Sequence, residues 1–596
     1  MITLETAQLV DVFPDLVKVC LGEVKADLVL KDCCLVNVAS GELLEDVDIT
    51  VKRRRIAYVG SSADHTIGGS TKVLSVKGGF VAPGFIDAHT HIDLFCTPTE
   101  QTSIFLIHGT TAVFAEPDEL VSVLGFKGLE LFADEVRRLP LRVFMMVPLV
   151  TPQDPELSSI KPLTLEEYEY ALTWPDVVGL GEAVAWPLIL KCNSYYLERF
   201  RLALKRGKVI EGHTAGAKNL KLVACACSGI SSCHEPVDAD QALARLRLGL
   251  FLMVREGSLR RDLTAILPAL LKRKVDLSNA AFATDWVDPV DLTELGYMDY
   301  VVKEAVEHGL DPVKAIQMAT INPAKHFRVD DQVGLVAPGR LADLVVLKSL
   351  EKVEVSMTVV GGEVMVKNGR FTGKLEKPHY PEYALKTMKV PRRLEASDFE
   401  VRAPVEEGAV KVVVAKLENE AITRKTVEGL KAVNGLIQAD VKLDVAKVAV
   451  IDRHYGTGRV GLGFIKGFGA RVGAISTSLN FDENNLVVLG FNEEDMELAA
   501  NETVRMGGGL VVVNGGRVVE ALPMPVAGVM SDEPFEGVTA KLRRINRLLR
   551  DAGCAFKKPI NVLLFTTFVA LPEVRFTDRG IVDVKERRFI PLIVEP

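Results

Sequence analysis

Phe85-Ile86-Asp87-Ala88-His89-Thr90-His91 follows the apolar stretch Gly78-Gly79-Phe80-Val81-Ala82-Pro83-Gly84, and the reading of the whole chain turns on it. On a β-strand, residues i and i+2 share a face, so both imidazoles reach one point beside the strand. Imidazole is the commonest protein ligand for metals, and two of them on a rigid strand form a preorganised half-site. A His-x-His pair alone also occurs for structural reasons. Its surroundings decide between the two readings.

Four more apolar, strand-like segments each end in a ligand-type residue. Val177-Val178-Gly179-Leu180-Gly181 ends in Glu182, and Lys208-Val209-Ile210-Glu211-Gly212 ends in His213. Gly229-Ile230-Ser231-Ser232-Cys233 ends in His234, and Ala280-Ala281-Phe282-Ala283-Thr284 ends in Asp285. Helix-like stretches such as Tyr195 to Lys205 and Ala239 to Leu248 separate most of them. Alternating strands and helices with polar residues at successive strand ends predict an α/β chain built on a (β/α)8 barrel, whose chemistry sits at the C-terminal face. Four histidines and two carboxylates in that arrangement suit two divalent metal ions.

With 596 residues the chain is long enough for a large core and for more than one domain, since a barrel absorbs roughly 200–250 residues as one unit. A net charge of −8 argues against a nucleic-acid or anionic-membrane surface. Nine cysteines are an odd number with no regular framework, which favours a reduced, cytoplasmic setting. Cys225, Cys227 and Cys233 lack a Cys-x2-Cys pair and read as small structural residues rather than a zinc site. Met1 to Glu5 show no basic segment leading into an apolar core, so no signal peptide is expected. No apolar run approaches the ~18 residues that span a bilayer.

Residues 1–25 are expected to be partly helical, with Leu9, Val12, Phe13, Leu16, Val17 and Cys20 near one face and Pro14 as a kink or interruption. Residues 26–80 and 333–373 carry short strands and are expected to form one discontinuous small β domain around a barrel at 81–329. Lys374 to Asp398, with Pro378, Pro381 and Pro391, reads as a linker. A C-terminal α/β domain is expected over 399–596. Its Gly456-Thr457-Gly458-Arg459-Val460-Gly461-Leu462-Gly463 reads as tight turns, because no Lys-Ser/Thr follows to complete a phosphate loop.

The Phe85–His91 signature and Ala342-Asp343-Leu344-Val345-Val346-Leu347 resemble the amidohydrolase superfamily. Gly179-Leu180-Gly181-Glu182, Ser231-Ser232-Cys233-His234-Glu235 and Met253-Val254-Arg255-Glu256-Gly257-Ser258 resemble the bacterial and archaeal adenine deaminases more closely. Met530-Ser531-Asp532 and Thr577-Asp578-Arg579-Gly580 extend the likeness over nearly the whole chain. The resemblance implies that His89, His91 and Asp285 hold one metal, that His213 and His234 hold the second, and that Glu182 bridges them. The ions implied are iron or manganese, with zinc as a further candidate. Three stretches depart from the family. Glu116-Pro117-Asp118-Glu119 stands where Asp-Pro-His-Glu is usual, and Thr284-Asp285-Trp286-Val287-Asp288 where Thr-Asp-Asp is usual. Phe481-Asp482-Glu483-Asn484-Asn485 replaces a His-Asp-Ser-His-Asn stretch.

The expected reaction is release of ammonia from adenine or a related 6-substituted purine. Asp285 is expected to move a proton from water to the leaving amine, and Glu119 or Glu235 to protonate a ring nitrogen. Trp286 is expected to stack on the ring or wall it off. The expected partner is a small molecule, a purine base, and a homo-oligomer is compatible with the sequence. Two other readings stand beside this one: hydrolysis of a cyclic amide with the same metals, and a non-catalytic metal-binding protein.

Overall fold

The computed structural model describes residues 8–594. The N-terminal reading of Met1 to Glu5 lies outside the described residues. Eight strands carry the site in chain order: Phe85–Thr90, Thr110–Ala115, Arg142–Val147, Val177–Ala183, Val209–Gly212, Ser232–Cys233, Phe251–Arg255 and Ala280–Ala283. The first five form one parallel sheet and the last three another. Ser231 N donates to Ile210 O at 2.9 Å across the first junction. Asp285 N donates to His89 O at 2.9 Å across the second, which closes the barrel.

These strands are short and buried on both faces, as parallel strands under helices must be. Ile86, Ala112, Phe114, Met146, Phe251 and Met253 belong to the cluster that fills the barrel. The opposite faces join the larger core beneath the surrounding helices, with Phe85, Val113 and Leu180 among its members.

A second sheet gathers strands from before and after the barrel. Leu344–Leu347 pairs antiparallel with Phe80–Pro83, which in turn lies beside Leu28–Asn37. The hairpins Glu42–Lys52/Arg55–Gly60 and Val355–Val360/Glu363–Lys367 extend it on either side. The helix Leu9–Cys20 packs on it through Val12, Leu16 and Val19. The buried face is therefore narrower than the apolar pattern implied, since Phe13, Val17 and Cys20 face solvent. The helix also runs through Pro14 without ending. Pro14 is exposed, on the side of the helix away from the sheet.

Residues 374–398 do not run free. Tyr380 is buried with its hydroxyl donating to Glu135 Oε2 at 2.7 Å, and Ala527 N donates to Ala384 O at 2.7 Å. The segment thus straps the barrel to a ten-stranded sheet that begins at Val401 and ends at Pro523. Helices Glu493–Arg505 and Phe535–Asp551 and a three-stranded sheet over 574–590 complete that half. Met530–Ser531 pairs in parallel with Phe95–Cys96, so the C-terminal half is stitched into the mouth of the barrel. The glycine-rich stretch is a turn followed by a strand. Gly456 and Gly458 take φ of +65° and +73°, and a Cβ at Gly461 would meet Thr577 O at 1.9 Å. Among the described residues, no helix is long and apolar enough to cross a membrane.

Candidate metal centre

The six residues at the strand ends converge at the C-terminal mouth of the barrel. His89 lies in the first strand and His91 just past its end, where the pairing register is irregular between Asp87 and Thr90. Glu182 lies in the fourth strand, while His213 and His234 directly follow the fifth and sixth. Asp285 stands two residues beyond the last strand with φ of +65°. Left-handed backbone is uncommon outside glycine but tolerated by Asp, and here it coincides with the chemistry.

Glu182 divides its two oxygens between two histidine pairs. Its Oε1 lies 4.0 Å from His89 Nε2 and 3.5 Å from His91 Nε2. Its Oε2 lies 3.7 Å from His213 Nε2 and 3.4 Å from His234 Nε2. Asp285 Oδ1 closes the first group at 3.3 Å from His89 Nε2 and 3.6 Å from His91 Nε2. Potential ligand atoms of His89, His91, Glu182 and Asp285 all lie within 4.8 Å of one another, as do those of Glu182, His213 and His234. Among the described residues, His89 Nε2, His234 Nε2 and Glu182 Oε2 are buried without a hydrogen-bond partner. Such atoms are costly unless something satisfies them, so this donor set fits two divalent ions sharing a carboxylate.

Charge is balanced locally. Burial works against ionisation of Asp285, but Arg255 and the imidazoles of His89 and His91 outweigh it and hold the carboxyl well below the usual range. Arg255 is itself buried, with Nη1 2.7 Å from Asp285 Oδ2 and also in contact with Glu235 Oε1. Burial opposes charge on Glu235 too, yet Arg255 and His213 lower it to about 2. Glu119 behaves in the opposite way. Burial, reinforced by the charge of Asp93, pushes it up to about 8.

The altered motifs border this centre. Asp118 Oδ2 lies 3.0 Å from His91 Nδ1, on the side of the ring away from Glu182. Glu116 accepts from Glu182 N at 2.8 Å. From the C-terminal half, Asn484 Nδ2 donates to Glu119 Oε2, and Asp482 N approaches the same oxygen at 3.3 Å. A cavity of about 990 Å³ opens over the centre, bounded by His91, Glu119, Glu182 and Asp285 below and by Trp286 and Phe481 at the side. Trp286 is almost fully buried, with Phe95 stacked at 5.7 Å, so it walls the cavity.

Residues 80–365 match the Amidohydrolase family, and residues 420–588 match the Adenine deaminase C-terminal domain. An adenine deaminase from Cenarchaeum symbiosum is 40% identical over 97% of this chain and 94% of its own length. One from Moorella thermoacetica is 38% identical over 98% of both chains, and one from Staphylothermus marinus 36% over 97% of both. The chain belongs to the adenine deaminase family. It is a hydrolase of the amidohydrolase type, and its His and carboxylate cluster is suited to divalent metal.

Membership makes the departures informative. The residue that replaces the usual histidine of the second motif, Asp118, stays in contact with His91 instead of leaving a gap. The structure places all six proposed ligands near one another, and Glu119 and Glu235 line the same cavity. Sequence reading missed Arg255, Glu211 and Asp118 as parts of the centre. Arg255 lay within a stretch quoted for its likeness alone, and only the pairing of its strand with Ala280–Ala283 brings it to Asp285. Cys225, Cys227 and Cys233 belong to no candidate metal group among the described residues.

Proposed function

We propose that this chain hydrolyses adenine, or a closely related 6-substituted purine, to the 6-oxopurine and ammonia. The observation that carries this reading is the division of Glu182 between two histidine pairs beneath a walled cavity, in a chain 40% identical to a protein named adenine deaminase. His89, His91 and Asp285 would hold one ion and His213 and His234 the other, with Glu182 between them. When bound, the ions would supply Lewis acidity and make hydroxide available near neutral pH, where free water has a pKa of about 15.7.

The protein's own groups supply the proton traffic. Asp285 is ionised, and Arg255 holds its Oδ2, which leaves Oδ1 as the oxygen turned toward the histidines. That oxygen takes the proton of the attacking water and delivers it to the departing amine. Glu119 keeps its proton at neutral pH and is the donor to a ring nitrogen. Glu235, held ionised by Arg255, is an acceptor and not a donor. Placing the 6-amino end of the ring at Asp285 sets its flat face beside the apolar wall of Trp286 and Phe481.

Four imidazoles and two carboxylates suit iron, manganese and zinc alike, and the family resemblance puts iron or manganese ahead of zinc. A cytoplasmic location is supported by nine unpaired cysteines. Self-association is supported by Val10, Phe13, Val17 and Leu21, which leave one side of the first helix apolar and exposed. The net charge of −8 supports a small-molecule partner over nucleic acid or an anionic membrane. The test is an ammonia-release screen of metal-loaded protein against adenine, 6-substituted purines, pterins and cyclic amides, with ring-opened products assayed alongside. Ammonia from the purines is expected. Activity confined to cyclic amides, or none at all, would contradict the proposal.

A further inference from the structure

Glu211 was given no role in the segment that leads to His213, yet it lies beside the centre. It is fully buried on the strand Val209–Gly212. Its Oε1 is 3.0 Å from Nδ1 of His89 and 3.8 Å from Nδ1 of His234. Among the described residues neither carboxylate oxygen, nor His234 Nδ1, completes a hydrogen bond, so the two imidazoles face Glu211 at ion-pair range. The two imidazoles are stacked, with centroids 4.3 Å apart and planes 9° from parallel. Both present Nδ1 to the same carboxylate oxygen and Nε2 to the Glu182 side.

We infer that Glu211 is a shared positioning residue, one carboxylate that fixes the ring orientation and tautomer of a histidine in each half of the centre. This rests on the reading that His89 and His234 serve different ions. The chemistry is reciprocal. An imidazole that ligates through Nε2 carries its proton on Nδ1, and that N–H needs an acceptor to hold the ring in place. A buried carboxylate needs donors or a positive partner, and here the two imidazoles are what it meets. Asp118 lies 3.0 Å from His91 Nδ1, a nitrogen that also meets Glu116 O at 3.1 Å, and among the described residues it is in ion-pair range of that one histidine alone. Glu211 therefore couples the two halves, whereas Asp118 supports one.

The contrast gives a test that does not depend on turnover. Wild type, Glu211→Gln and Asp118→Asn are loaded with manganese, challenged with a chelator, and followed by metal analysis and by the electron paramagnetic resonance signal of the paired ions. Loss of such an outer partner typically costs about 10–100-fold in metal affinity. Glu211→Gln is expected to release both ions at least about 10-fold faster than wild type. Asp118→Asn is expected to speed release of one ion and leave the other near the wild-type rate. If Glu211→Gln does not fold, Glu211→Asp carries the test: drawing the carboxylate back by one methylene should speed release of both ions. Wild-type release rates in the Glu211 variants, or faster release of one ion only, would overturn the sharing. A wild-type chain that never binds two ions would overturn the metal reading beneath it, a result visible before any variant is made.

Discussion

In the proposed mechanism Asp285 has two separable duties, holding an ion and moving a proton. Asn has almost the same shape and can still offer an oxygen to a metal, but it cannot accept a proton as a carboxylate does. Asp285→Asn is therefore expected to retain most of the metal and to lose about 10²-fold or more in turnover, measured by metal analysis and ammonia release. Glu119 gives the opposite pH signature. Its folded value near 8 means that it carries a proton below that pH and loses it above, so kcat/KM should fall as pH rises through about 8. Glu119→Gln should abolish that basic limb, and a limb that persists in the variant belongs to another group. The convergence of the six proposed ligands was legible in the sequence because each lies within or just after an apolar, strand-like run. Glu211 and Arg255 were not, because a charged residue inside such a run looks the same whether it meets solvent, a salt bridge or a metal ligand. Which of these it meets depends on the neighbouring strand.

At the level of elements, strand ends place the proposed ligands and close backbone packing keeps them there. Gly181 precedes Glu182, and a Cβ at Gly181 would lie 1.6 Å from Glu116 Oε1. Glu116 cannot simply move aside, because its other oxygen accepts from Glu182 N at 2.8 Å. Gly181→Ala is expected to cost about 1–3 kcal/mol in denaturant unfolding and to lower metal occupancy with it. Wild-type stability together with full occupancy would show that this strand end has slack. Gly257 makes a similar approach, to Thr284 O at 1.8 Å, which holds the loop after Arg255 against the strand end that carries Asp285. Strand and helix alternation were legible from apolar runs and polar breaks. The width of the buried face on the helix Leu9–Cys20 was not, since an amphipathic stripe does not reveal how much of itself the neighbouring sheet can cover.

Across the whole molecule, the C-terminal half completes the centre. Asn484 reaches Glu119 and Ser122 from a segment more than 350 residues away in sequence, with Nδ2 2.6 Å from Ser122 Oγ. Asn484→Ala should lower turnover while the protein keeps two ions, because it unsettles Glu119, the proposed proton donor, and touches none of the proposed ligands. Loss of metal in that variant would place Asn484 nearer the ligands than the structure does. The barrel was legible because its signals are local and repeated. The strap at 374–398 read as a linker because proline and charge mark irregular backbone, while its buried Tyr380 and Ala384 are visible only once the two halves are in place. If two ions sharing Glu182 are needed to release ammonia from adenine, the requirement will show when iron or manganese is titrated into the metal-free chain and ammonia release from adenine is measured. Activity should rise to a plateau at two equivalents per chain. A plateau at one equivalent, or no ammonia from adenine or a 6-substituted purine with two ions bound, would contradict it.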